Sequence, residues 1–469
     1  MSRPGAAAAD RFARSTRMGT RPVGRLLVSF SLPALVGMLV TATYSIVDTA
    51  FVGRLGHEAI AALTVIWPLN LVMLALSIGV GVGANSLIAR RLGAGDTREA
   101  NHAGAQAILL GLVSGVVIAA VLVAWSGPVL RLLGARPSIM PFARDYLGII
   151  APFAPLVFFP MLANNLIRAE GNPLPSMLIM IVSAVTNIIL DPLLIFGPGP
   201  FPALGVRGAA IATVIAQALG TALYIGYFAG NRSGYQFRLR DFLPAPRLWG
   251  AIYAVGAPSM TIQLSGSLVQ AVINNIAVGF GPMTLAALGV IFRLFAFGFM
   301  PSLGVAQGVL PLAGYNFGAR RLDRVREVVR KGALGATGIT TFFSLLFIAF
   351  PGFFVGLFNR EPGFVVAAAP GLRITALAFA PVGAAIVFSS FFQGIGRAVP
   401  AMFLSLARQF IFLLPAALIL SRSFGITGLW ASVPVSDGLT VVASLTWTVI
   451  AFRRLGFPLF SRRGRDSRG

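Results

Sequence analysis

The chain has 469 residues, 57% of them hydrophobic and only 11% charged, and a mean hydropathy of +0.84. Soluble domains carry about 25% charged residues, so this chain lacks the polar surface to cover a body of its size in water and belongs in lipid. It has no cysteine, which excludes disulfides, thiol catalysis and cysteine-bound metals, and the distribution of its net charge of +23 argues against a nucleic-acid surface.

At about 20 residues per crossing, the apolar runs predict twelve spans with short loops. A cytoplasmic tail, 1–25, is Arg-rich like a transit peptide, but the apolar stretch after it is too long for a cleavable segment. The first half follows as spans near 26–50, 59–88, 102–124, 138–167, 173–196 and 206–229. His57 and His102 fall at loop–helix borders and read as surface residues. Glu170, in RAEGN, reads as a loop or capping group at the end of the fourth span. A basic linker occupies 231–247, and six more spans lie near 248–279, 284–316, 328–350, 365–395, 398–421 and 427–452. A second basic tail, 453–469, closes the chain.

The tails and even-numbered loops hold 27 of the 37 basic residues. This asymmetry predicts that both termini are cytoplasmic, in a multi-pass protein of the plasma (inner) membrane. The basic runs are topology determinants that touch anionic headgroups; the lipid bilayer is a partner and nucleic acid is not.

The two halves repeat. Adding 225 carries Pro33 to Pro258, Gly56 to Gly281, Ala61-Ala62-Leu63 to Ala286-Ala287-Leu288, Gly93 to Gly318 and Gly171 to Gly396. A loop insertion near GPGPFPA then shifts the offset to 220, pairing Gly205 with Gly425 and Gly208 with Gly428. Six spans is an even number, so both halves cross in the same direction. The expected fold is all-α, twelve transmembrane helices in a 26–230 lobe and a 248–452 lobe, related by a pseudo-twofold axis along the membrane normal. A central cleft and alternating access follow from that arrangement. Prolines inside spans bend helices, and Pro33 is the candidate hinge of the first.

Two acids stand inside apolar runs: Asp48 in VGMLVTATYSIVDTAFVG and Asp191 in MLIMIVSAVTNIILDPLLIF. A charge in hydrocarbon costs at least ~2.5–3.5 kcal/mol, which makes each a functional candidate. Residues three or four apart share a helix face, so Thr41, Tyr44 and Asp48 form one polar line. Ser183, Asn187 and Asp191 form a second, and Thr213, Gln217 and Thr221 a third. These lines should face one another rather than lipid. Nearby carboxylates in a low dielectric either share a proton or hold a cation. With Asn187, Thr213 and Tyr44 supplying neutral oxygens, the cluster suits H⁺ or Na⁺ and calls for no other cofactor. No arginine or lysine is expected inside the first bundle to neutralise the acids. Neither acid recurs in the second half, where Asp48 maps to Ile273 and Asp191 to Ala416. Its buried charges are Arg293, Arg408 and Asp437, the last at the position paired with Gln217. They suggest a structural ion pair, with Asp437 left open as a second site.

The strings SLPALVGMLVTATYSIVDTAFVGRLG, GVGVGANSLIARRLGAGD, RAEGN, TNIILDP, GVRGAAIAT and FQGIG resemble the multidrug and toxic compound extrusion (MATE) transporters over about residues 25–455. The branch with ionisable residues in the first lobe (the DNA-damage-inducible and archaeal type) is the most similar. The resemblance implies a plasma-membrane antiporter that exports cationic or amphipathic drugs in exchange for H⁺ or Na⁺. It carries coupling roles onto Asp48, Asn187, Asp191 and Thr213, and aromatic hydroxyl roles onto Tyr44 and Tyr146. It assigns the bending proline to Pro33 and a fourth-span polar role to Asn164, here followed by Asn165. The residues expected to meet cargo are Tyr146, Asn164, Gln217, Thr41 and Met38. Small-molecule cargo and a monomer are expected. The branch with an acid in the seventh span is not matched, and Asp437 is a departure from the pattern. The alternative is a lipid-linked precursor flippase of the same superfamily, with Arg293 and Arg408 gripping pyrophosphate. A membrane enzyme would need a DxxxD metal motif, a His-rich site or a Ser–Lys pair, and the spans hold none of these.

Overall fold

The computed structural model describes residues 15–454 except 201, 231 and 232. The outer parts of both expected tails, the first two linker residues and one residue of the GPGPFPA loop lie outside the described residues. Among the described residues all regular structure is helical. The first half comprises α1 (Val23–Gly53), α2 (His57–Gly93), α3 (Thr97–Leu132), α4 (Met140–Ile150), α5 (Ala154–Ala169), α6 (Pro173–Phe196) and α7 (Val206–Ala229). A 3₁₀ turn, Ala151–Phe153, joins α4 to α5 within the fourth crossing.

The second half comprises α8 (Pro246–Val278), α9 (Pro282–Gly318), α10 (Leu322–Ala349), α11 (Pro351–Gly356), α12 (Pro362–Ala376), α13 (Val382–Gly394), α14 (Ala398–Leu406) and α15 (Leu414–Arg454). A π-helical turn, Ala407–Leu413, links the last two. Nine stretches among the described residues are long and apolar enough to cross a membrane. The longest, Ala398–Arg454, holds two crossings, because the backbone reverses at Gly425 (φ 60°, ψ −140°). With α8 and the α12–α13 pair, this makes the twelve expected segments.

Local chemistry sets the ends. Proline occupies the first turn of α6, α9, α11 and α12, where its missing N–H has no intrahelical acceptor to lose. Asp96 caps α3 by accepting from the Glu99 N–H at 3.0 Å. α1 runs on as helix through Pro33, and α8 through Pro258.

The repeat is written into the backbone. Gly56 (φ 122°, ψ 172°) and Gly281 (φ 105°, ψ 164°) cap α2 and α9 in one conformation, closed to side chains with a Cβ. Gly205 (φ 57°, ψ −131°) matches Gly425 in the same way. Gly95 (φ 78°) is matched by Arg320 (φ 57°), a non-glycine in the left-handed region.

The chain divides into two compact units, one holding Leu32–Leu264 and the other Arg21–Ser31 with the chain from Ser265. α1 and α8 therefore each begin in one unit and end in the other. In the first unit, one core joins Val80, Ala84, Ile88, Leu162, Leu166 and Tyr224, and the linker packs on it through Tyr235. A second joins Val52, Ile66, Leu130, Tyr146 and Ile195. In the second unit, Ile291, Phe295, Phe347, Leu372, Phe379 and Trp430 form the main core.

Candidate functional site

The acids sit on two helices of the first unit, near the ends away from the linker. Asp48 and Asp191 each lie five residues before the last residue of their helix, or roughly 8 Å at 1.5 Å per residue. Asp191 and Asn187 are fully buried on α6, and Thr213 faces them from α7. The Asn187 side-chain amide lies between the two, donating to Asp191 Oδ1 at 3.3 Å and to Thr213 Oγ1 at 3.4 Å. One turn back, Ser183 Oγ donates to the Ala216 carbonyl at 2.6 Å and fixes the register of α6 against α7. Tyr146 on α4 is buried, with its hydroxyl near Thr213. Tyr44 and Asp48 on α1 are half-buried. Asp48 lies within electrostatic range of Asp191, and both acids within range of Tyr44 and Tyr146.

The expected polar lines of α1, α6 and α7 thus converge, with one exception. Thr41 is exposed and returns its hydroxyl to the Gly37 carbonyl at 2.9 Å, so it does not join the cluster. Met38, Gln217 and Pro33 are half-buried. Asn164 is buried beside α6, donating to Met180 Sδ at 2.8 Å.

Three buried acceptors in the cluster have no hydrogen-bond partner: Asp48 Oδ1, Asn187 Oδ1 and Asp191 Oδ2. Each orphan costs about 1–3 kcal/mol, more where the group is charged. A proton on either carboxylate, or a small hard cation drawing on these atoms and Thr213 Oγ1, removes that cost. The donor set is all oxygen, which fits H⁺ or Na⁺ and not a soft metal. Among the described residues there is no group of three or more His, Cys, Asp or Glu side chains that could hold a metal.

The expected absence of a basic residue from the first bundle is corrected. α5 extends to Ala169, so Arg168 lies in its last turn, where it is buried and donates to Asn165 Oδ1 at 3.2 Å. A cation is favoured at a helix C-terminus, which accounts for its place there.

In the second unit, Arg408 Nε donates to Asp437 Oδ1 at 2.7 Å, and Ser436 Oγ donates to the Arg408 carbonyl at 3.0 Å. These positions are the repeat partners of Ser183, Gln217 and Ala216, so one helix–helix contact is used twice with different chemistry. Arg293 is not part of the pair. It is exposed on α9, which corrects its reading as a buried charge.

Two polar hubs were missed in the sequence. Gln106 on α3 is fully buried; its Nδ-equivalent amide, Nε2, donates to the Asp241 and Leu243 carbonyls at 2.7 Å each. Its Oε1 accepts from Ala245 N at 3.0 Å and Trp249 Nε1 at 2.7 Å. Glu170 is more than a cap: it accepts from the Tyr227 hydroxyl, Ser233 Oγ (3.1 Å) and Gly234 N (2.8 Å). A lone glutamine in AGAQAILLG was the available signal for the first.

Two bundles built on one repeated unit, with an acid cluster buried in one of them, define a membrane transporter and not an enzyme. The MatE family model matches the chain twice, over residues 33–193 and 258–419, and the chain belongs to that family. It is 29% identical over 426 residues to a FAD transporter of Shewanella oneidensis, covering 90% of this chain and 93% of that one. It is 28% identical, with the same coverage, to the multidrug export protein MepA of Staphylococcus aureus. Its fold matches a MATE crystal structure in a bent conformation with a TM-score of 0.89 at 25% identity, over 94% of this chain and 98% of the other. A Vibrio cholerae MATE transporter, VcmN, matches with a TM-score of 0.85 at 27% identity, over the same shares.

Proposed function

We propose that the chain is a multidrug efflux antiporter of the plasma membrane, with both termini cytoplasmic, exporting organic cations and amphipathic drugs in exchange for H⁺ or Na⁺. The observation that carries this is the convergence of Asp48, Asn187 and Asp191, each with a buried acceptor that lacks a partner. Loading the cluster with one positive charge removes an unfavourable local field. A conformation that leaves these acceptors buried and unpartnered is favoured by loading more than one that exposes them to water, and that difference is the condition for coupling. The multidrug export named for one relative supports the cargo class.

In this cycle the cluster loads from outside, α1 bends near Pro33, and cargo leaves past Tyr146, Asn164, Gln217 and Met38. The flippase alternative calls for paired cationic side chains. Arg408 is instead committed to Asp437, which disfavours it. Asp48→Asn is expected to reach the membrane at wild-type level and to lose ethidium efflux. Efflux at the wild-type rate from that variant overturns the reading.

A further inference from the structure

Beyond the acid cluster, the first bundle holds four more buried polar atoms without partners: Asn85 Oδ1, Asn164 Oδ1, Arg168 Nε and Thr221 Oγ1. Along α7, Thr213, Gln217, Thr221 and Tyr224 follow at steps of four, four and three, which places them on one face. That face runs about 16 Å from the acid cluster toward the linker end. At its far end the Tyr224 hydroxyl donates to the Ser176 carbonyl at 3.4 Å and reaches Asn164 and the Arg168 charge. Asn85 Nδ2 donates to the Asn165 carbonyl at 3.1 Å, and Arg168 holds the Asn165 side chain, so polar groups join α2 to α5 beside the apolar core that both share with α7.

Apolar packing would serve stability better at these positions, because each orphan is costly. Orphaned amide oxygens together with a hydroxyl and a guanidinium donor are the groups that buried water satisfies, at about three hydrogen bonds per molecule. We infer that this seam is a hydrated proton route inside the first bundle, joining the Asp48–Asp191 cluster to the linker end without passing through the cargo cleft. The inference rests on the cluster being the coupling site.

The step balances simply. The carboxylic acid O–H of Asp191 breaks toward a seam water, and a water at the Arg168 end gives up a proton to solvent. The titratable groups facing the route are Asp48, Asp191, Tyr44 and Tyr146 at one end and Tyr224 and Arg168 at the other. Glu170 lies beyond it, occupied by Tyr227, Ser233 and Gly234. No carboxylate lies within ion-pair distance of Arg168 among the described residues. Na⁺ needs a shell of oxygens at each stop. A proton needs only a chain of hydroxyls and water, so the seam selects H⁺ as the ion that leaves by it.

The test uses the full chain in phosphatidylethanolamine–phosphatidylglycerol vesicles with a lumenal pH dye, and ethidium as cargo. Thr221→Val and Asn85→Leu are each expected to slow ethidium-driven proton flux ~10-fold, an added barrier of about 1.4 kcal/mol. Ethidium affinity and its pH dependence should stay at wild-type values, and Thr221→Ser should restore the flux. Wild-type flux from both folded variants overturns the seam and leaves the coupling site standing. Full flux from Asp191→Asn overturns the coupling site itself. Wild-type exchange that follows a Na⁺ gradient and ignores a pH gradient overturns the choice of proton.

Discussion

Asp191 has no exposed surface, yet only one of its two oxygens accepts a hydrogen bond, and that bond is 3.3 Å long. Stability alone does not favour such an arrangement. Asn187 shares the defect, since its amide reaches two acceptors at long range while its own oxygen has none. Replacing Asn187 alone by leucine removes its own orphan but takes from Asp191 Oδ1 its single donor, whereas replacing both residues by leucine strands neither group and can be near neutral or stabilising. The Asn187→Leu/Asp191→Leu double variant is therefore expected to melt at or above the wild-type temperature while ethidium efflux falls ~10-fold. Thermal unfolding in detergent and an efflux assay measure the two sides; a fall in both marks the pair as merely structural. The Arg408–Asp437 pair follows the same rule. Breaking a fully buried pair by removing one partner costs about 3–5 kcal/mol, and less here because a third of the Arg408 side chain is exposed, whereas replacing both can be neutral. The repeat supplies the replacement, since the matching first-half residues are Ser183 and Gln217. Arg408→Ser, which strands the buried Asp437, should destabilise more than Asp437→Gln, and together the two should recover most of the loss in a thermal double-mutant cycle. A double variant as weak as the worse single one would give Asp437 a role of its own.

At the scale of elements, hydropathy read the crossings well because lipid demands long apolar helices whatever their packing. It missed the internal breaks. The 3₁₀ turn at Ala151–Phe153 and the π turn at Ala407–Leu413 keep the crossings apolar and so leave no trace in average hydropathy. It also ended the fourth span two residues short of Ala169, and so left Arg168 in a loop. The repeat was legible in glycines because geometry protects them. A Cβ on Gly208 would strike the Leu194 carbonyl, and one on Gly428 the Leu420 carbonyl, so each half turns between its last two crossings at the same pinch. Gly208→Ala and Gly428→Ala are expected to lower the yield of folded protein sharply and alike. Arg320 inverts the argument, since it sits at φ 57° where its repeat partner is Gly95. Left-handed backbone costs a non-glycine residue roughly 1–2 kcal/mol. Arg320→Gly should raise the unfolding midpoint, and no rise would mean that the arginine side chain offsets the strain.

For the whole molecule, the two halves are joined by one linker, and the sequence marked it only as basic. Its structural role lies in a residue 135 positions earlier. Gln106 makes four hydrogen bonds to the linker region, three of them to backbone, from inside a fully buried site on α3. Composition could not reveal this, because backbone acceptors belong to any sequence. Aromatic packing adds to the anchor, with Tyr235 and Phe237 stacked at 5.2 Å between centroids. The linker is thus tied to the first unit. Each of the four bonds contributes on the order of 1 kcal/mol net, and Gln106→Leu would also strand the Trp249 N–H. Local opening of the linker should then become frequent while both bundles stay folded. Arg238, Arg240 and Arg247 make that opening readable by trypsin. The expected result is a wild-type protein that resists limited digestion in detergent and a Gln106→Leu variant cut in the linker into two fragments, one for each half. Equal resistance in the two proteins would show that the aromatic contacts hold the linker without Gln106.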